Sequence, residues 1–227
     1  RSFLHGVLIA PLLLVPVAAS AADGKLKVVA SFSILGDIVQ NVGGDRVAVT
    51  TLVGPDGDAH VFEPTPADAK AVAAADVVFV NGLGLEGWME RLIQSSGYRG
   101  PVAVAGNGVT SRTMDEAGSG ITDPHAWQDL RNGRIYVANI AAALAAADPQ
   151  GAGAYRTAAS AYSAEIAAKD EWVRAELKDV PSGQRRIITS HDAFGYFGAA
   201  YGITFLAPVG VSTEAEPSAA GMARLIR

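Results

Sequence analysis

Three histidines recur at almost even spacing along this 227-residue chain, and each comes after a short apolar segment. They are His60, His125 and His191. The apolar segments predict β-strands, and loops at the carboxyl ends of parallel strands gather along one edge of a sheet. Neutral imidazole nitrogen is a preferred zinc ligand. A single histidine in a loop is more often a polar surface residue, but the placement of all three predicts a metal site.

The segments that would position these histidines alternate between Val-rich and Ala-rich patterns, which predicts parallel sheets covered by helices. The Val-rich segments lack period-two alternation, as in strands buried on both faces. The predicted strands are residues 27–31, 47–53, 77–81 and 102–105. The predicted helices between them are residues 34–42, 66–75 and 86–95, the second with Thr65 as its N-cap.

A long helical region interrupts the alternation. It is predicted as helices 131–147 and 155–177, separated by Asp148 and Pro149. Strand 186–190, helix 193–201, strand 204–206 and an amphipathic helix 216–227 follow. We therefore predict an α/β fold of two parallel-sheet α/β lobes joined by a long helical connector, with the metal site in the interlobe cleft. The predicted units are an N-terminal lobe (22–130), the connector (131–180) and a C-terminal lobe (181–227) that looks truncated and unstable by itself.

The first 21 residues have the composition of an export signal. A basic start, an apolar stretch at 7–17 and the small residues Ala19, Ser20 and Ala21 predict a signal peptide cleaved before Ala22. The stretch is shorter than the about 20 apolar residues of a membrane span. The chain has no cysteine, so we expect neither a thiolate metal site nor a lipid-bearing cysteine. We predict a free periplasmic monomer.

The charge distribution argues against a nucleic-acid partner. The net charge is -5, and the 18 lysines and arginines are not clustered. Proteins that bind nucleic acid need a basic surface to neutralise phosphates.

Two classes of enzyme, a dinucleotide-binding oxidoreductase and a zinc hydrolase, share features with this sequence. Residues 82–87 read GLGLEG and follow a predicted strand, which formally matches the dinucleotide fingerprint. Glu86 would oppose a pyrophosphate there, so we interpret the glycines as a tight turn. A secreted zinc hydrolase is the other alternative, because three histidines and an open position also describe catalytic zinc. The wide spacing of the histidines favours a clamp, and we predict that the chain is not an enzyme.

The segments around the histidines resemble the zinc- and manganese-binding solute-binding proteins of bacterial ABC transporters. The matching segments are DAHVFEPTP (58–66), TDPHAW (122–127), TSHDAFGYF (189–197) and GVSTEAEPS (210–218). The resemblance implies one metal ion held between two lobes and delivered to an inner-membrane permease of the ABC transporter. A periplasmic metallochaperone is a further partner that it allows.

The resemblance also implies that His60, His125 and His191 are the ligands. Manganese members have a glutamate at the third position, so His191 favours Zn²⁺ over Mn²⁺, in agreement with the preference of zinc for imidazole. The family's fourth ligand is an acidic residue of a later segment. We expect it beyond Arg227, with water, Glu63 or Asp192 as alternatives. Because only neutral imidazole binds a metal, affinity should fall below a pH of about 6.5.

The residues near the histidines are expected to support the site. Nearby carboxylates are candidates to orient the imidazoles, and nearby aromatic residues are predicted to be core. The segment 111–123 is predicted as a mobile, solvated loop in which Asp115 and Glu116 attract a cation only weakly. The carboxylates are Asp58, Glu63, Asp123 and Asp129, and the aromatic residues are Phe62, Trp127, Phe194 and Tyr196.

Overall fold

The computed structural model describes residues 24–116 and 118–210 together with Met222. The predicted signal peptide lies outside these residues, as does the final helix at 216–227 apart from Met222. Among the helices of the described part, none has the length and apolarity needed to cross a membrane.

The first sheet is parallel and has the strand order β2-β1-β3-β4. Its two central strands are the most deeply buried, because helices cover both faces of a parallel sheet. The edge strands expose several residues, so the prediction that all four are buried on both faces is wrong for β2 and β4. The strands are β1 (Leu26–Phe32), β2 (Val47–Val53), β3 (Val77–Val80) and β4 (Val102–Val104).

The helices between these strands begin and end at recognisable local signals. They are α1 (Ser33–Gly43), α2 (Pro66–Ala73) and α3 (Met89–Ser96). Thr65 and Asp68 form a reciprocal capping box at the start of α2, as the predicted N-cap requires. Gly97 ends α3 in the left-handed conformation with φ of 72°. The predicted start of α3 at Glu86 is wrong, because residues 82–88 form turns in which Glu86 binds backbone N–H groups.

A hairpin follows the first sheet where a mobile loop was predicted. Its antiparallel strands are β5 (Thr113–Glu116) and β6 (Ser119–Thr122). Met114 is buried, which ties the hairpin to the rest of the molecule. The short polar sequence carries no apolar alternation strong enough to predict a strand, so the pairing was missed.

The connector is two long helices, α4 (Leu130–Ala147) and α5 (Ala152–Lys178), as predicted. Asp129 caps α4 by accepting from the N–H of Arg131. Asp148, between the helices, accepts hydrogen bonds from Arg46 and from the Tyr155 hydroxyl. One face of α4 is completely buried against the first sheet and α1, through Tyr136, Val137, Ile140 and Leu144.

A second, smaller sheet follows the connector. It contains the parallel strands β7 (Arg186–Ile188) and β8 (Thr204–Leu206), joined by α6 (Gly195–Tyr201). Tyr196 and Tyr201 are the buried residues of α6. Parallel sheets on either side of a helical connector confirm the predicted α/β fold class. The exact boundaries of the two lobes stay a prediction.

Candidate metal centre

The loop that carries His60 leaves β2 and returns to α2. The Asp58 carboxylate accepts a 2.7 Å hydrogen bond from the His60 N–H, and the Ala59 carbonyl accepts one of 2.8 Å from Trp88 Nε1. Both bonds hold the peptide group that joins Ala59 to His60, on the N-terminal side of the His60 Cα. The imidazole is half-buried and its Nε2 faces His125.

His125 is the most enclosed of the three histidines, with 2% of its surface exposed. One oxygen of Asp123 contacts both its backbone N–H, at 3.0 Å, and its ring Nδ1, at 2.9 Å. Because Nδ1 donates to this carboxylate, the lone pair of the neutral ring lies on Nε2. The expectation that a nearby carboxylate orients an imidazole is therefore met by Asp123.

Asn81 holds the same segment from the end of β3. Its side-chain amide donates to the Pro124 carbonyl at 2.9 Å, and its carbonyl oxygen accepts from the Tyr136 hydroxyl at 2.6 Å. Asn81 is completely buried. These positioning residues were missed from sequence, where the only signal was one polar residue at the end of an apolar strand.

His191 comes from the second lobe, three residues after β7 ends. Its carbonyl accepts a 2.9 Å hydrogen bond from the Thr189 hydroxyl, which holds the short segment after β7. Its ring centroid lies 6.0 Å from that of His60 and 5.6 Å from that of His125.

The three imidazoles converge. One ring nitrogen from each residue can be chosen so that all three lie within 4.8 Å of one another, and Nε2 of His60 is 3.1 Å from Nε2 of His125. Two imidazole nitrogens bound to one tetrahedral zinc at about 2.0–2.1 Å would lie about 3.3 Å apart. The donor atoms of His60 and His125 therefore already stand near the separation that one ion requires, and a nitrogen of His191 lies within 4.8 Å of both. They line a cleft of about 540 Å³.

Burial and the neighbouring His125 ring favour the neutral form of His60 and of His191. Burial is the main reason that the pKa of His60 falls to about 4, and the His125 ring adds to the effect. Burial and the neighbouring His125 also lower the pKa of His191. Neutral imidazole is the form that binds a metal. The site is thus electrostatically prepared for a cation near neutral pH.

The other expected ligands and carboxylates occupy different places. Within the described residues, the ligand cluster contains the three histidines and includes neither Glu63 nor Asp192. Asp58 binds the backbone of the His60 loop, and Asp129 caps α4 and pairs with Arg131 at 2.6 Å. Glu63 is exposed. The fourth-ligand expectation beyond Arg227 lies outside the described residues.

Two of the aromatic residues predicted as core, Trp127 and Phe194, line the cleft that holds the histidines. Trp127 packs between Phe32 and the His125 ring, with centroids 4.9 and 5.4 Å away. Phe62 packs on Trp88 at 4.9 Å. Phe194 stacks on Phe205 at 5.0 Å, whereas Tyr196 is buried and contacts the Asp123 carbonyl through its hydroxyl. Of the four predicted core aromatics, only Tyr196 is fully buried.

The glycine turn at 82–87 is occupied by its own acidic residue. Glu86 accepts from the N–H groups of Asn81 and Gly82 and from the Ser31 hydroxyl. These are the backbone donors that an anionic ligand would need. Burial raises the pKa of Glu86, and the three hydrogen bonds oppose that rise. The interpretation as a tight turn agrees with this geometry.

Comparison with known proteins connects the site to a family. Residues 28–227 match the family profile described as ZnuA, zinc-uptake complex component A, periplasmic. The manganese-binding lipoprotein MntA of Halalkalibacterium halodurans is 42% identical over 81% of this chain and 60% of its own length. The iron-binding protein YfeA of Yersinia pestis is 37% identical over 85% of this chain and 63% of its own length. The chain thus spans less than two thirds of each relative.

The fold is likewise similar to that of a solved periplasmic metal-binding protein. A manganese-bound structure of a mutant periplasmic metal-binding protein from Candidatus Liberibacter asiaticus superposes with a TM-score of 0.80 at 33% identity. The match covers 88% of this chain and 74% of that structure. The members of this family are described as a component of a metal-uptake complex and not as enzymes. The prediction that this chain is not an enzyme is therefore confirmed. By sequence, fold and converging histidines, the chain belongs to the zinc-uptake component A family of periplasmic metal-binding proteins.

Proposed function

We propose that this protein captures a divalent transition-metal ion in the periplasm and delivers it to the permease of an ABC importer in the inner membrane. His60 and His125 of the first lobe and His191 of the second are the proposed ligands. The observation that carries the proposal is the convergence of three ring nitrogens within 4.8 Å in a protein of a metal-uptake family. In this proposal the protein acts as a monomer, and a periplasmic metallochaperone can supply its metal ion.

Manganese is the cargo that the comparisons support best. The MntA relative is named as manganese-binding, and the superposed Candidatus Liberibacter structure holds manganese. This similarity outweighs the preference for zinc predicted from His191 alone. Iron appears in the name of another relative, so the family's metals differ among close sequences.

Zinc remains the second candidate because of the donor set. Imidazole suits zinc, whereas manganese favours carboxylate and water oxygen. A site of nitrogen donors also binds Zn²⁺ more tightly than Mn²⁺ by the general affinity order of the first-row metals. Metal affinities measured with the purified protein therefore test which residues bind the ion, but they do not show which metal is transported.

Capture follows from the arrangement of the ligands. Asp123 and the Asp58 loop hold His125 and His60 in place before an ion arrives. His191 stands on the other lobe, so its bond to the ion joins the two lobes. Release at the permease then requires that the lobes separate and His191 withdraw.

The ligand assignment is tested by calorimetric titration of the purified full-length protein with Mn²⁺ and Zn²⁺. We expect one ion per chain, and His191→Ala should weaken binding by more than about 100-fold, because loss of a direct ligand exceeds the effect of an outer-shell change. Gln128→Ala is the control, since Gln128 lines the same cleft outside the histidine cluster. Equal affinity in His191→Ala and the wild type would refute the assignment.

The cargo is identified in cells that contain the natural permease. Accumulation of isotopic manganese and of isotopic zinc is compared between wild-type cells and cells that carry the His191→Ala variant. A selective loss of manganese uptake supports the main proposal. A selective loss of zinc uptake identifies zinc, and unchanged uptake of both contradicts the transport role.

A further inference from the structure

Arg112 links the two lobes next to the histidines without being one of the ligands. It lies just before β5, and its carbonyl accepts a 2.9 Å hydrogen bond from the N–H of Asp123. Its own N–H donates at 3.1 Å to the hydroxyl of Tyr196 on α6. The same hydroxyl lies 3.3 Å from the Asp123 carbonyl. The backbone of Arg112 is therefore fixed between the base of the hairpin and the second lobe.

The guanidinium faces the carboxylate that orients His125. Arg112 Nε lies 3.7 Å from Asp123 Oδ2, and the guanidinium carbon lies 5.6 Å from the centre of the Tyr196 ring. The Asp123 side chain is 2% exposed, whereas that of Arg112 is 37% exposed. A buried carboxylate needs an opposite charge or hydrogen bonds to compensate for its lost hydration. Arg112 supplies that positive charge on the side of Asp123 away from His125.

We infer that Arg112 is a positioning residue that keeps the two lobes closed on the metal, because it holds a positive charge against Asp123 and its backbone N–H binds Tyr196 of the second lobe. This inference rests on the proposed metal-capture function. Without the Arg112 cation, the carboxylate that orients His125 would lose the positive charge beside its Oδ2, and its hold on the His125 ring would weaken. The lobes would then separate more readily, and the ion would leave faster.

Gly195 offers a way to displace the guanidinium without removing its charge. It is the first residue of α6, and a Cβ built on it would lie 2.4 Å from Arg112 Nη1 and 2.8 Å from Asp123 Oδ2. A real side chain cannot remain at such distances. Because both side chains are too close to this Cβ, Gly195→Ala should disturb the contact between Arg112 and Asp123 while both residues keep their charges.

The test measures the dissociation rate of Zn²⁺ from the full-length protein by stopped-flow competition with a chromogenic chelator. Arg112→Gln should accelerate release about tenfold, within the range of outer-shell changes at metal sites. Arg112→Lys should recover part of the slow release because it retains the charge, and Gly195→Ala should accelerate release with Arg112 present. Association rates should change little.

Arg174→Gln is the matched control. Arg174 also lies over a tyrosine of α6, at 5.0 Å from the ring of Tyr201, and donates to the Ala200 carbonyl, but its carboxylate partner is Asp170. Equal acceleration by Arg174→Gln and Arg112→Gln would show that general loosening of α6 is responsible, and would overturn the inference.

The two proposals fail in different ways. If the wild type binds no metal, the proposed function is wrong. If it binds one ion and Arg112→Gln releases the ion at the wild-type rate, the role of Arg112 alone is wrong. Thermal unfolding of each metal-free variant checks that it is folded.

Discussion

At the scale of single residues, the site depends on which nitrogen of each imidazole is free. Asp123 fixes the tautomer of His125 by accepting from Nδ1, which turns Nε2 toward His60. Asp58 acts differently, because it binds the backbone N–H of His60 and not the ring. The two carboxylates stand two residues before their histidines in similar sequence contexts, yet only one of them contacts an imidazole.

The lowered pKa of His60 predicts a pH effect on the metal-free protein. The pKa is about 4 in the folded chain, against an ordinary value of about 6.5 in the unfolded chain. Between these two pH values the unfolded chain is protonated at His60 and the folded chain is not. The free energy of unfolding should therefore fall as the pH drops through this window. Above a pH of about 6.5, His60 should make no pH-dependent contribution to it.

Denaturant unfolding of the wild type and His60→Gln at several pH values measures this effect. The wild type should lose more stability than the variant between about pH 6.5 and pH 4. An equal loss in both proteins would contradict the prediction. Protonation of His60 should also weaken metal binding. Because the pKa of His60 is lowered, this weakening should begin at a lower pH than the ordinary histidine pKa indicates.

At the scale of elements, strand ends and helix starts carry the ligands into the cleft. The His60 loop depends on α3 through Trp88, which immediately precedes the helix and is buried with 4% exposure. Its Nε1 donates to the Ala59 carbonyl at 2.8 Å, next to the ligand. The later start of α3 places Trp88 outside the helix, where its ring can reach this loop.

Trp88→Phe should weaken metal binding about 3- to 10-fold and destabilise the protein by about 1 kcal/mol, because one intramolecular hydrogen bond near the ligand is lost. Trp172→Phe is the control, since Trp172 is 54% exposed on α5 and its ring contacts Lys169. Calorimetric titration and denaturant unfolding measure the two quantities. Similar effects of both substitutions would exclude a special role for the Trp88 bond.

At the scale of the whole molecule, the metal should add a link between the main core and the second sheet. The first sheet, α1 and the connector form one continuous core, which Tyr196 of α6 also joins. The second sheet lies apart from this core, and its β7 exposes Ile187 and Ile188. An ion bound to His60, His125 and His191 would add a direct link between these regions.

Metal binding should therefore stabilise the full-length protein. At a free-ion concentration about 100 times Kd, the expected gain is about 2.7 kcal/mol, since the ion binds the folded state alone. Denaturant unfolding with and without the ion measures the gain, which should nearly vanish in His191→Ala. A gain that persists in this variant would indicate metal bound elsewhere.

The sequence by itself determined the elements and the candidate ligands. Continuous apolar strands, capped helices and three histidines after strands predicted the α/β architecture, because these signals are local and act within one turn or one strand. The hairpin at 113–122 was missed because its short polar strands show no apolar alternation. The start of α3 was missed because Glu86 is held by the Ser31 hydroxyl and by the N–H groups of Asn81 and Gly82.

Only the tertiary structure decided which polar residues support the histidines. Asn81, Tyr136 and Arg112 reach the site from separate elements, and no spacing along the chain indicates that they meet there. Hydrogen bonds and ion pairs require atoms within a few ångströms, and folding alone brings such atoms together. The choice of metal depends on that complete environment, so the zinc preference predicted from His191 stays a prediction.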